Sequence, residues 1–367
     1  MGESISDIES QASAGDLSAQ LQMAHRLFAE GQTEPGRNWL RKAAASGPAD
    51  LKLALGEHLL TNAPFDVSEA LRWTREALAA GSAEAAHRFA VFAAEGVGEP
   101  QSWPNALHNV MHAATLGHRV AQAELVGLAG DWALAASVLT GTGSAPNLDG
   151  LADRIDIPSL LAVPPSQTLL ASPRVVSIPG FLSHGLCNWL IERARPDLKR
   201  AQTFNPRTGG AQVVEGRNHS CIGFNVARSD VVLSIIRARM AVLTGLSLLG
   251  FEDTSVLHYA PGEQFAPHFD FIEPNTPAAL KEIASTGQRA VTFLAYLNEG
   301  YEGGETSFPR LAASYKGKRG DALFYFNIMP DGSPDRRTLH TGTALKGGEK
   351  WLMSQWIRSR PAWISPQ

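Results

Sequence analysis

The stretch LHYAPGEQFAPHFDF, residues 257–271, decides how the second half of the chain reads. Two short runs, 254–260 and 265–271, flank Pro261-Gly262 and predict strands joined by a turn. Residues i and i+2 of a strand share a face, so His268 and Asp270 would aim an imidazole and a carboxylate at one point. Outward from this stretch, similar short runs recur near 212–225, 289–297, 304–308, 320–326, 338–345 and 351–357, each bounded by Gly or Pro. Ser183 reads as the cap of a helix running to about residue 195, and a second helix is expected at about 229–245. Many short strands with few helices predict a β-sandwich or jelly roll with helices packed outside.

A His-x-Asp pair becomes a ferrous facial triad only with a further histidine, which leaves three positions open for cosubstrate and oxygen. His340, in RTLHTGTALKGGEKWLMSQWIR (337–358), supplies it. Lys350 follows ten residues later. If 338–345 and 351–357 form one hairpin through Gly347-Gly348, Lys350 starts the return strand and faces the same barrel mouth. A buried ammonium is costly without an anionic partner, so Lys350 there calls for a carboxylate ligand.

Further pieces fall in register with these: His258-Tyr259, Gly287-Gln288-Arg289, Tyr296-Leu297-Asn298, Gly303-Gly304-Glu305-Thr306, Phe308-Pro309, Gly320-Asp321-Ala322, Asp331-Gly332, His340-x-Gly342 and Trp356-Ile357-Arg358. Over roughly 175–360 the chain resembles the prolyl 4-hydroxylases among the Fe(II)- and 2-oxoglutarate-dependent dioxygenases. The resemblance implies a double-stranded β-helix and peptidyl-proline 4-hydroxylation. It implies Fe(II) on His268, Asp270 and His340, with 2-oxoglutarate and O2 as cosubstrates and ascorbate as reductant. Lys350, Tyr259 and Thr306 would hold the distal carboxylate of 2-oxoglutarate. Arg217 and Trp356 would face a proline-containing substrate. Phe265 departs from the tyrosine several relatives carry three residues before the first iron ligand, which puts the substrate in question.

The first half is different. Residues 1–150 hold 31 alanines and the remaining 217 hold 21, so helix propensity is concentrated at the start. Turns ending in glycine fall at Gly15, Gly47, Gly81 and Gly117, spaced by 32, 34 and 36 residues. That period predicts stacked helical hairpins, each burying its apolar stripe only against its neighbours. It resembles tetratricopeptide or Sel-one-like repeats over roughly 9–135, which implies either a protein-binding surface or a rigid scaffold. His108 and His112, four apart on one helix, read as an ordinary repeat-helix face.

The chain is thus expected to be α+β and multidomain. An N-terminal all-α helical-hairpin repeat array spans 1–150, a linker 151–172, and a jelly-roll oxygenase domain with flanking helices 173–367. A net charge of -4 carries no basic footprint for nucleic acid, and no run of 18 apolar residues predicts a membrane span. Two cysteines, Cys187 and Cys221, cannot build a disulfide framework or a cysteine metal site. The polar N-terminus lacks a signal-peptide core, which favours the cytoplasm. Three functions stay open: a peptidyl-proline hydroxylase with repeats recruiting the protein substrate, an oxygenase acting on another side chain, free amino acid or small molecule, and a repeat adaptor with a relict barrel.

Overall fold

The computed structural model describes residues 4–201, 203–205, 210–212 and 218–360. The chain divides into two compact units, Met1–Ala121 and Gln122–Gln367.

The first unit is built from helices α1 (Ile5–Ser13), α2 (Leu17–Ala29), α3 (Thr33–Ser46), α4 (Ala49–Thr61), α5 (Val67–Ala79), α6 (Ala83–Glu95) and α7 (Trp103–Thr115), and from the start of α8 (Arg119–Leu128). Asp16, Asp66, Ser82 and Ser102 cap four of these, each side chain accepting from the amide three residues on. The periodic glycines fall where the sequence places them, at the turns from α1 to α2, α3 to α4, α5 to α6 and α7 to α8. Gly15, Gly81 and Gly117 take positive φ, which a side chain would strain; Gly47 is extended and ends α3. Alanine is frequent because the helices approach closely: Ala43, Ala44, Ala70, Ala77, Ala85 and Ala86 are fully buried. At Gly56 of α4 even a methyl would meet Thr74 Oγ1 at 2.7 Å and the Ala70 carbonyl at 3.0 Å.

The second unit adds helices α9 (Trp132–Thr140), α10 (Ile157–Leu161), α11 (His184–Ala194), α12 (Val231–Thr244) and α13 (Pro277–Thr286). Its strands are β1 (Gln167–Leu170), β2 (Val175–Ile178), β3 (Lys199–Arg200), β4 (Thr203–Asn205), β5 (Gly210–Gln212), β6 (Ser220–Phe224), β7 (Thr254–Tyr259), β8 (Phe265–His268), β9 (Arg289–Tyr296), β10 (Glu302–Gly303), β11 (Thr306–Phe308), β12 (Ala313–Tyr315), β13 (Ala322–Phe326), β14 (His340–Gly342), β15 (Leu345–Gly347) and β16 (Lys350–Arg358). An eight-stranded sheet runs β1-β2-β13-β9-β16-β7-β6-β3, and a four-stranded sheet runs β12-β11-β14-β8. Leu257, Tyr259, Leu294, Tyr296, Tyr325 and Leu352 of the large sheet share one core with Phe308 of the small one. This is the expected jelly roll.

Two local expectations change. The run 338–345 is not the hairpin partner of 351–357. β14 pairs with β8 and β11 in the small sheet, whereas β16 pairs with β7 and β9 in the large one. β15 and the turn at Gly348, where φ is +75°, carry the chain between the two. Helix α13 went unread, although Thr276 caps it and Pro277 opens it.

Helix α8 is anchored within the second unit by its C-terminal half. The Glu124 carboxylate accepts from the Val231 and Val232 amides, at 2.6 and 3.3 Å, at the exposed-dipole end of α12. Asp230 caps the same helix and also takes Trp189 Nε1 and Arg193 Nε. Trp132 of α9 meets Trp189 of α11 edge-on, with ring centroids 6.1 Å apart. The stretch 151–172 holds a short 3-10 turn, α10 and β1.

Candidate active site

Strand alternation builds the pocket. Lys350, Leu352, Ser354 and Trp356 all face inward from β16 and line one cavity between the sheets. The register sets Lys350 beside Tyr259 of β7, Ser354 beside Leu294 and Trp356 beside Thr292 of β9. Each of those neighbours lines the same cavity, as do Thr306 and Tyr325.

At one end His268, Asp270 and His340 bring their ligand atoms within 4.8 Å of one another. β8 ends at His268, so Asp270 lies past the ladder rather than on the strand. The convergence survives: His268 Nε2 is 3.4 Å from Asp270 Oδ1, and His340 Nε2 is 3.3 Å from Oδ2. His268 and His340 face each other across the β8–β14 pair. Both rings hold a fixed tautomer. Nδ1–H of His268 donates to the Ala266 carbonyl at 2.8 Å, and that of His340 to the Thr338 carbonyl at 3.0 Å. Each Nε2 lone pair is left toward Asp270, the state a metal ligand needs. Burial opposes the Asp270 charge, but the adjacent His340 and His268 and the Thr292 hydroxyl outweigh it and hold the carboxyl well below its usual range. Burial lowers His340 to about 4, so it stays neutral at physiological pH. Two imidazoles that present Nε2 and one carboxylate fit a divalent iron with open positions.

At the other end lies Lys350, fully buried. Its Nζ donates to the Gly304 carbonyl at 2.7 Å. Burial pulls its pKa down to about 7; Glu305 offsets this in part and Lys316 adds to it. Tyr296 Oη and Thr306 Oγ1 are 2.8 Å apart, and the Tyr259 and Tyr296 rings lie 5.3 and 5.5 Å from Nζ. A buried cation flanked by two tyrosine rings, with Thr306 lining the same cavity, suits a carboxylate.

The remaining sequence candidates sort clearly. Trp356 lines the pocket, and Arg289 stacks 3.5 Å over its ring while clamping Glu252 through two nitrogens. Arg217 lies outside the described residues. Phe265 stacks flat on His268, with centroids 3.7 Å apart. His219 is buried against Tyr259 and Phe265. His258 turns out of the pocket to Glu349, as its parity requires. Cys187 is core. Sequence reasoning missed Thr292 and Tyr325, which read as ordinary strand formers, and gave Tyr296 no role although it stands in a motif of the resemblance. Even spacing was a further signal on β9, where Thr292, Leu294 and Tyr296 share the inward face.

A second cluster, Glu84, His87 and His118, also gathers ligand-type atoms in the first unit. Its bonding does not suit a cation. The Ala121 amide donates to His118 Nδ1, so in the neutral ring the proton sits on Nε2 and goes to Glu84 Oε2 at 2.7 Å. Buried Arg88 holds the other Glu84 oxygen at 2.8 Å. The site is already filled by a proton and a guanidinium.

Residues 254–358 match the family model of the 2OG-Fe(II) oxygenase superfamily. Mouse prolyl 4-hydroxylase subunit alpha-1 is 34% identical over 188 residues, covering 51% of this chain and 35% of that protein. The chain therefore spans about a third of the length of such subunits. A probable prolyl 4-hydroxylase 10 of Arabidopsis thaliana is 31% identical over 208 residues, covering 51% of this chain and 69% of that protein. A viral collagen prolyl hydroxylase from Paramecium bursaria chlorella virus 1, solved as a 2OG complex, is 28% identical with a TM-score of 0.38, covering 50% of this chain and 94% of the other.

Proposed function

The chain belongs to the prolyl 4-hydroxylase family of 2OG-Fe(II) oxygenases, and we propose that it 4-hydroxylates proline in a protein or peptide substrate. The observation that carries this is the convergence of His268, Asp270 and His340 with buried Lys350 in one cavity. Bound Fe(II) and 2-oxoglutarate supply, with O2, the oxidising power that converts C–H to C–OH while 2-oxoglutarate becomes succinate and carbon dioxide.

In this reading His268, Asp270 and His340 hold iron through two Nε2 atoms and one carboxylate oxygen. Lys350 holds the distal carboxylate of 2-oxoglutarate, helped by the hydroxyls of Tyr259 and Thr306. Burial of the pocket excludes water and strengthens that ion pair. Trp356, pinned by Arg289, forms an apolar wall against which a proline ring packs. Its indole N–H is buried without an acceptor among the described residues, and a substrate carbonyl would satisfy it. Arg217 keeps its expected role toward substrate. The helical hairpins of the first unit recruit the protein that carries the target proline.

Incubation of the pure chain with Fe(II), 2-oxoglutarate and a panel of proline-rich peptides tests this. Hydroxylation adds one oxygen, about 16 Da, to a proline. Efficient turnover of other compounds with no modified proline would sink it. One feature favours that second reading: Phe265, flat on His268, offers no hydroxyl to substrate.

A further inference from the structure

Asp270 can serve the proposed metal in two ways. Bound through one oxygen it leaves three positions open; bound through both it consumes one of the positions that 2-oxoglutarate and O2 require. Residues around it decide between these.

Tyr325 of β13 sits directly opposite Thr292 of β9, and both are essentially inaccessible to solvent. Both hydroxyls address the same atom. Thr292 Oγ1 donates to Asp270 Oδ2 at 2.7 Å, and Tyr325 Oη donates to Oδ2 at 3.0 Å. Asn327 Nδ2 donates to Thr292 Oγ1 at 2.8 Å, which commits the threonine proton to Asp270. Tyr325 has a second acceptor within reach, His340 Nε2 at 2.9 Å. The tautomer of His340 makes that nitrogen a lone pair. A metal on His340 takes the lone pair and leaves the Tyr325 proton only Oδ2.

We infer that Tyr325 is a positioning residue that, with Thr292, holds Asp270 Oδ2 away from the metal and presents Oδ1 as its only coordinating oxygen. The inference rests on the oxygenase reading and deepens it. Each carboxylate oxygen lies near one ligand nitrogen, Oδ1 at 3.4 Å from His268 Nε2 and Oδ2 at 3.3 Å from His340 Nε2, but the two hydroxyl donors occupy the lone-pair directions of Oδ2 alone. The phenol acts through the carboxylate, its hydroxyl being engaged by Asp270 and His340.

The test titrates the full chain with Co(II), whose visible spectrum reports coordination number. Tyr325→Phe keeps the ring and removes the donor. It should weaken Co(II) binding about tenfold, within the range for loss of a ligand's supporting hydrogen bond, and change the visible bands. Thr292→Val should shift both in the same direction and Thr292→Ser should restore them, which keeps the test alive if Tyr325→Phe does not fold. Wild-type affinity and spectrum in Tyr325→Phe would overturn the inference. So would a phenolate-to-metal charge-transfer band in the Fe(III)-loaded chain that vanishes in Tyr325→Phe, because Tyr325 would then be a ligand. Absence of Co(II) binding by the unaltered chain would overturn the oxygenase reading itself, and this inference with it.

Discussion

Binding of 2-oxoglutarate should weaken as pH rises above neutrality, because Lys350 must gain a proton as the anion arrives. In the empty pocket burial lowers this lysine to about 7, from an ordinary value of 10.5. A dianionic cosubstrate reverses the cause of the shift by pairing with the ammonium. The apparent dissociation constant then scales inversely with the fraction of free chain whose lysine is charged. Between pH 6.5 and 8.5 it should rise about 25-fold, roughly 1.9 kcal/mol, provided the lysine stays charged in the complex. Calorimetry on the Mn(II)-loaded chain without O2 measures this without turnover. Repeating it in two buffers of different ionisation heat counts the proton, which should approach one per ligand at pH 8.5. Lys350→Arg is the control: a guanidinium stays charged throughout, so the pH slope should vanish whatever the affinity. A dissociation constant constant to within twofold across this range, with heats independent of buffer, would refute the reasoning.

Other outcomes follow from the same contacts. Lys350→Met should stabilise the unliganded chain at pH 6 by a few kcal/mol, from the lowered pKa. The lysine's cost is full below its folded value of about 7 and fades toward 10.5, so denaturant midpoints of the two chains should converge as pH rises through that window. His340→Ala should lose metal-dependent succinate formation and retain its circular dichroism, since the ring's contacts to Thr338, Tyr325 and Asp270 are contacts of the side chain that leave the strand pairing of β14 in place; full turnover would remove it from the metal set. Gly56→Ala should destabilise the first unit by about 1–2 kcal/mol through overpacking against Thr74 and Ala70, despite the better helix propensity of alanine; urea unfolding reads the sign. Glu124→Ala should cost about 2 kcal/mol by stripping a charged acceptor from two buried amides of α12.

The parts of the site legible in the sequence were those set by chemistry that few residues can supply. An imidazole, a carboxylate two residues later, a distant imidazole and a lysine on a strand of period two announced themselves by type. The hairpins were legible because a turn needing a glycine recurs at nearly fixed spacing. Thr292 and Tyr325 were not legible, and the role of Tyr296 was not, since a tyrosine or threonine on a buried strand is also what β propensity selects. Their role depends on which strand lies opposite, and β13 joins β9 only through the long-range pairing of the large sheet. The crossing from β14 to β16 was misread for a related reason. Gly347-Gly348 looks like a hairpin turn whether the chain folds back on itself or passes from one sheet to the other. Glu124 reads as a solvated helix residue until α12, more than a hundred residues later, is laid against it.

That last contact bears on where the chain can be cut. Alanine content alone invites a truncation near residue 150. A chain beginning there would lack Glu124 and Trp132. It would expose the paired amides of Val231 and Val232, and leave the indole of Trp189 without its edge-on neighbour. An isolated oxygenase fragment that precipitates would then report a severed helix rather than an unstable barrel, and a start before α8 is the one to clone.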